Sequence, residues 1–152
     1  PNSDVISHHR NRCVTAIKSL RGCRVDTGSG HKYSGPRAYA DILLQTKIVV
    51  SPWGLGEACY RDFEAIYAGC ILIKPDTTYV IGAQDIYQPK YYIPCAVDFS
   101  DLKEKVNYVK TNWNKLHDMR RDARNMLLKW WEPNVLAKHL SDIFKRCQDR
   151  II

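Results

Sequence analysis

Residues 47–76 read KIVVSPWGLGEACYRDFEAIYAGCILIKPD, and the rest of the chain is arranged around them. The stretch opens on a short β-branched run, Lys47-Ile48-Val49-Val50-Ser51, the pattern of a buried strand. Pro52-Trp53-Gly54-Leu55-Gly56 follows as a turn, its two glycines expected to supply backbone conformations that other residues resist. Residues 57–68 then read as a helix, with Tyr60, Phe63, Ile66 and Tyr67 at helical spacing and Gly69 as its stop. Cys70-Ile71-Leu72-Ile73 reads as a second buried strand, ended by Lys74-Pro75-Asp76. Strand, glycine turn, helix and strand make one βαβ unit, and such units build parallel sheets.

That order has a chemical consequence. The first turn of a helix presents unpaired N–H groups and the positive end of its dipole, and glycines let a ligand come close to the backbone. Ligands of open α/β sheets gather at the carboxyl ends of the strands, where this turn falls. An anion, most often a phosphate, is the expected guest. Arg61, one turn into the helix, is placed to add a bidentate contact to it, or else to pair with Asp62 or Glu57. Glu57 and Glu64 bracket the same turn, and carboxylates suit sugar hydroxyls better than phosphates. Together these groups point to a sugar joined to a phosphate.

The segment GLGEACYRDFEAIYAGCILIKPD resembles the donor-binding segment of glycosyltransferases with the GT-B fold. Phe63-Glu64-Ala65-Ile66-Tyr67-Ala68-Gly69 is similar to the second half of the motif of their retaining members, and Arg61-Asp62-Phe63-Glu64-Ala65 looks closer to the exostosin-like, family 1-like variant. Six residues separate Glu57 from Glu64, one fewer than in the familiar motif. The resemblance implies an enzyme, a hexosyl- or pentosyltransferase that moves a sugar from a nucleotide diphosphate to an acceptor hydroxyl on a glycan, protein or lipid. It implies that Glu64 holds the ribose hydroxyls. Glu57 either contacts the donor sugar or caps the helix, and with Arg61 it makes up the expected catalytic pair. Ser51, Gly54, Gly56, Tyr60, Lys74 and Asp76 complete the expected donor site, with Trp53 on its rim or in the core. No Asp-X-Asp motif occurs, and the resemblance implies no metal and no cofactor beyond the donor. One of the two halves of a GT-B enzyme fits in this length, and the N-terminal acceptor half lies outside this chain.

The whole of residues 1–152 reads as one donor-binding domain, large enough for a proper core. The expected fold is α/β: a three-layer, Rossmann-like domain with a small parallel sheet and a helical C-terminal third. A hydrophobic content of 45% with 26% charged residues fits an ordinary globular domain, and no apolar run reaches membrane-spanning length. The net charge of +7 is spread along the chain without a zinc-finger, RNA-recognition or basic-zipper signature, so no specific nucleic acid is expected. The rival class is a non-catalytic nucleotide- or nucleic-acid-binding module that uses the basic surface. Six scattered cysteines without a CxxC pair read as mostly free thiols, which favours a cytoplasmic or otherwise intracellular setting. The chain opens on Pro1, with no signal-peptide pattern, and reads as an excised domain that has left targeting segments behind.

Outside the central stretch, residues 1–5 read as a tether and residues 6–20 as a helix with Ile6, Cys13, Ile17 and Leu20 on one face. His8-His9 invites a metal reading, but neighbours on a helix point apart and no third ligand is placed to join them. Residues 23–26 suggest a short strand, and 27–36 a glycine-rich connector in which His31 and Lys32 are weaker site candidates. A helix starting near Pro36 feeds the central strand. The next strand lies within 91–97, where Pro94 signals a bulge or an edge. Asp98 or Ser100 caps a helix with the stripe Leu102, Val106 and Val109. Residues 113–131 and 134–147 read as two helices separated by Pro133, with Trp130-Trp131 anchoring them to the sheet or to a partner domain.

Overall fold

The computed structural model describes residues 3–22, 36–80 and 86–148. Six helices and three strands follow one another: α1 (Ser3–Lys18), α2 (Pro36–Leu44), β1 (Ile48–Val50), α3 (Tyr60–Tyr67), β2 (Ile71–Pro75), β3 (Ile93–Cys95), α4 (Leu102–Asn112), α5 (His117–Trp130) and α6 (Pro133–Gln148). The strands form a parallel sheet in chain order, β1-β2-β3, with Ile48 opposite Ile71 and Ile73 opposite Ile93. The expected βαβ unit is therefore present, and the fold is α/β with a helical C-terminal third.

Side chains of β2 alternate between two cores, as a pleated strand requires. Leu72 joins Leu43 of α2, Ala65 and Ile66 of α3, and Ala123 and Leu127 of α5 on one face. Ile71 and Ile73 join Cys13 of α1 and Leu102, Val106 and Val109 of α4 on the other. Helices thus cover both faces of a sheet whose central strand is wholly buried. The α4 stripe matches expectation at all of its positions. Pro94 does lie on an edge strand.

Several boundaries differ from the sequence reading. Ser3–Lys18 is helical, so residues 3–5 are the first turn of α1 and not a tether. The strand expected to end at Ile73 continues through Lys74 and Pro75. Proline is tolerated there because the Asp76 N–H bonds toward β3, so position 75 would donate toward β1, which has already turned away at Pro52. α3 begins at Tyr60, three residues after Glu57. Its buried face is Asp62, Ala65 and Ile66, while Tyr60 is 89% exposed and Tyr67 46%. Tyr60 and Tyr67 are thus surface residues, because the face that packs inward is centred on Asp62, Ala65 and Ile66. Trp113 caps α4 and does not open α5. Trp131 stacks on Tyr67 with ring centroids 5.9 Å apart, which ties the end of α5 to α3 and not to the sheet. The strand and connector expected over 23–35, with His31 and Lys32, lie outside the described residues. Among the described residues no helix is long and apolar enough to cross a membrane.

Gly69 ends α3 as expected, with φ at +79°. A Cβ there would meet nothing within 4 Å, so substitution is opposed by backbone conformation alone. Gly69→Ala should lower stability by about 1–2 kcal/mol in urea unfolding, the cost of a left-handed non-glycine residue.

Candidate functional site

The turn between β1 and α3 lies at the carboxyl edge of the sheet. Ser51 starts it, fully buried, its N–H donating to the Ile73 carbonyl and continuing the ladder. Gly54 N–H donates to the Gly56 carbonyl at 3.0 Å and closes the tip. Neither glycine has a positive φ, which corrects the reason expected for them. Gly54 is closely packed: a Cβ would sit 3.2 Å from Cys59 Sγ and 3.4 Å from Arg10 Nη2, so those side chains would have to give by a few tenths of an ångström. At Gly56 nothing lies within 4 Å, so a side chain fits.

Beyond the tip, Leu55 is fully exposed and Glu57 accepts a hydrogen bond from the Tyr79 hydroxyl at 3.2 Å. Glu57 therefore stands on the turn, outside the helix. The N-terminal end of α3 is met by the chain itself, since the Asp62 carboxylate accepts the Cys59 N–H at 3.0 Å. Asp62 is fully buried, and the same oxygen accepts the Tyr87 hydroxyl at 2.8 Å. Lys74 Nζ lies 3.1 Å from that oxygen, close enough for an ion pair but not aligned as a hydrogen bond. Lys74 is also fully buried, so it is not the rim residue that a strand ending at Ile73 implied. Burial, and then the Asp62 charge, push the Tyr87 phenol well above its ordinary range and keep it a donor.

A groove of about 330 Å³ runs between α1 and this turn, lined by Ile6, His9, Trp53, Gly54, Gly56 and Glu57 among others. His9 stacks on Trp53 with ring centroids 5.1 Å apart, and the Phe99 ring lies tilted against it with centroids 5.0 Å apart. Phe99 holds that place from a left-handed backbone, φ +61°, a strained conformation for an aromatic residue. Burial lowers the His9 pKa, and the Lys74, Arg12, Arg10 and His8 charges lower it further.

The other expected site residues do not line this groove. Asp76 is exposed, but its carboxylate is engaged by the Thr78 N–H and hydroxyl, which hold its pKa below the ordinary carboxylate value. Glu64 is exposed and accepts the Tyr39 hydroxyl from α2 at 3.0 Å. Burial, then that hydrogen bond, push the Tyr39 phenol up to about 12. Arg61 is exposed and makes no ion pair among the described residues, because Asp62 faces inward to Lys74. Tyr60 points to solvent beside it. The structure thus brings Ser51, Gly54, Gly56 and Glu57 together on one turn, with Lys74 beneath it. Glu64 and Arg61 lie on the solvent side of α3, and neither lines the groove.

His9 and Asp62 were not among the expected site residues. Both carried a signal in their spacing. His9 falls three residues after Ile6 and four before Cys13, on the face that packs inward, and Asp62 falls at the same interval before Ala65 and Ile66. Among the described residues no group of three or more His, Cys, Asp or Glu is placed to hold a metal, and Cys13, Cys59, Cys70 and Cys95 are free thiols. The arrangement is a concave, mostly apolar groove with the His9 imidazole in its wall and the Glu57 carboxylate at its lip. Comparisons with protein-family models, with characterised proteins and with solved structures find no match.

Proposed function

We propose that this chain is the donor-binding domain of a GT-B glycosyltransferase, a Rossmann-like half that binds a nucleotide-diphosphate sugar. The observation that carries the reading is the groove at the carboxyl edge of a βαβ unit, whose turn and helix bear the residues that resemble the GT-B motif. In this reading the nucleotide lies over α3, with Glu64 accepting hydrogen bonds from the ribose hydroxyls and Arg61 meeting the phosphates. Both side chains are exposed and within reach of a ligand approaching from solvent. Glu57 faces the donor sugar across the groove. Lys74 adds positive potential from below, partly offset by Asp62, and makes no direct contact with the ligand.

The reaction breaks the bond between the anomeric carbon and the leaving diphosphate, and forms one to an acceptor hydroxyl on a glycan, protein or lipid. The hydroxyl proton goes to a base supplied by the acceptor half of the enzyme. Charge on the departing diphosphate is met by basic side chains, Arg61 first among them, with no resident metal. The setting is cytoplasmic or otherwise intracellular.

Calorimetric titration with UDP, GDP, TDP and ADP and their common sugars tests this. Saturable binding of one nucleotide is expected, weakened about tenfold to a hundredfold by Glu64→Ala and by Arg61→Ala, the loss expected for one charge-assisted hydrogen bond. Binding that neither substitution changes would contradict the reading.

A second reading, a module that binds polyanions, has one observation in its favour. At the opposite edge of the sheet the Arg120 guanidinium stacks 3.9 Å from the Trp113 ring, and Lys47 Nζ lies 5.3 Å from the same ring. Such a module would bind single-stranded nucleic acid with a steep salt dependence and be indifferent to Glu64→Ala.

A further inference from the structure

Five buried side-chain atoms have no hydrogen-bond partner among the described residues: His9 Nε2, Ser51 Oγ, Trp53 Nε1, Asp62 Oδ1 and Lys74 Nζ. They come from α1, the end of β1, the glycine turn, α3 and β2, and all sit at the carboxyl edge of the sheet. Folded proteins pair nearly all such atoms, since each one left unpaired costs about 1–3 kcal/mol. Their concentration at one place marks that place as built for something polar. Ser51, Asp62 and Lys74 are fully buried, while His9 and Trp53 line the groove.

We propose that His9 is a phosphate-binding residue of the groove, and that it meets the ligand as the imidazolium and takes up one proton as the ligand binds. This rests on the donor-binding reading and adds to it a residue and a pH dependence. The ring cannot tilt freely, because Trp53 and Phe99 hold it. Neither of its nitrogens has a hydrogen-bond partner among the described residues, so a phosphate oxygen supplies what the protein does not.

The charges around His9 set the direction of the proton linkage. Its own helix contributes His8, Arg10 and Arg12, the last drawn 3.4 Å from Asp98. β2 contributes Lys74, which Asp62 of α3 partly offsets, and the turn contributes Glu57 at the groove. Without ligand this surrounding is mostly positive and holds the imidazole below its ordinary pKa, so the ring is neutral at neutral pH. Two phosphate charges reverse the balance and raise the pKa in the complex. Because the complex binds the proton more tightly than the free protein does, affinity rises as pH falls through the pKa of the complex. It levels off below the pKa of the free protein.

The probes are nucleotide-diphosphate sugars, whose phosphates are both esterified and carry no group that titrates in this window. Calorimetry of the full chain between about pH 8 and about pH 5.5, in two buffers of different ionisation enthalpy, gives affinity and proton uptake together. Uptake approaching one proton and an affinity gain of about tenfold per unit of pKa shift are expected. His9→Gln should bind more weakly and show neither the proton uptake nor the gain in affinity at low pH. Undiminished proton uptake in His9→Gln would overturn the inference and leave the donor site standing. Failure of the wild-type chain to bind any nucleotide sugar would overturn both. Should His9→Gln not fold, an NMR titration of the His9 ring in the wild-type chain decides the matter. A pKa raised by ligand supports the inference, and an unchanged one overturns it.

Discussion

Lys74→Met should lower the stability of the chain by about 3–5 kcal/mol, the cost of leaving one buried charge without its partner. Lys74 and Asp62 are both fully buried, 3.1 Å apart. Without the lysine, Asp62 keeps only the Cys59 N–H and the Tyr87 hydroxyl, two neutral donors for a full charge in a medium of low dielectric. Lys74 Nζ also lies 5.9 Å from the Tyr87 ring, so the substitution removes a cation–π contact as well. The double variant Asp62→Asn, Lys74→Met should recover most of the loss. Asparagine can still accept the Cys59 N–H, and an uncharged pair of similar volume has no desolvation penalty to offset. Urea unfolding of the three variants measures this directly. A single substitution as mild as the double one would mean that the pair is open to water.

Leu72→Ala should cost about 2–5 kcal/mol, the range for removing a fully buried leucine side chain. Leu72 is fully buried in the central strand, and its neighbours are Leu43, Ile66, Ala123 and Leu127 from three helices. The strand is flanked on both sides, so it has no freedom to shift toward the gap. Thermal or urea unfolding gives the value. A loss below about 1 kcal/mol would place Leu72 at a site that collapses easily.

The βαβ unit was legible because buried strands announce themselves as short β-branched runs and because Gly69 has a left-handed backbone that glycine supplies. The helix α4 was legible for the same kind of reason: Leu102, Val106 and Val109 leave one consistent face. The candidate site was legible only in part. Its location followed from topology, but which of Arg61 and Asp62 points inward depends on which face of α3 packs against the sheet. Reading the helix from Glu57 put Tyr60 on the apolar face and left Asp62 on the surface. The face that packs inward carries Asp62 with Ala65 and Ile66, which leaves Arg61 in solvent. Lys74 illustrates the same limit. A lysine after an apolar run reads as the end of a strand, and only a carboxylate from a distant helix makes it a core residue. His9 was read beside His8 as a metal question, while its stacking partners Trp53 and Phe99 lie far away along the chain. Pairings across such separations are set by the assembled fold and not by local pattern.

The central claim is that a nucleotide-diphosphate sugar binds at the carboxyl edge of the sheet, over the turn from Ser51 to Cys59 and the start of α3. Amide chemical-shift mapping of the isotope-labelled chain, titrated with the nucleotide sugar that binds best, tests it most directly. The account predicts that the shifted amides cluster at Ser51, Trp53, Gly54, Gly56, Glu57, Arg61 and Glu64, with Lys47, Lys110 and Trp113 unmoved. Shifts confined to Lys47, Lys110, Trp113 and Arg120 at the opposite edge would contradict it, and would make the Trp113 patch the binding surface instead.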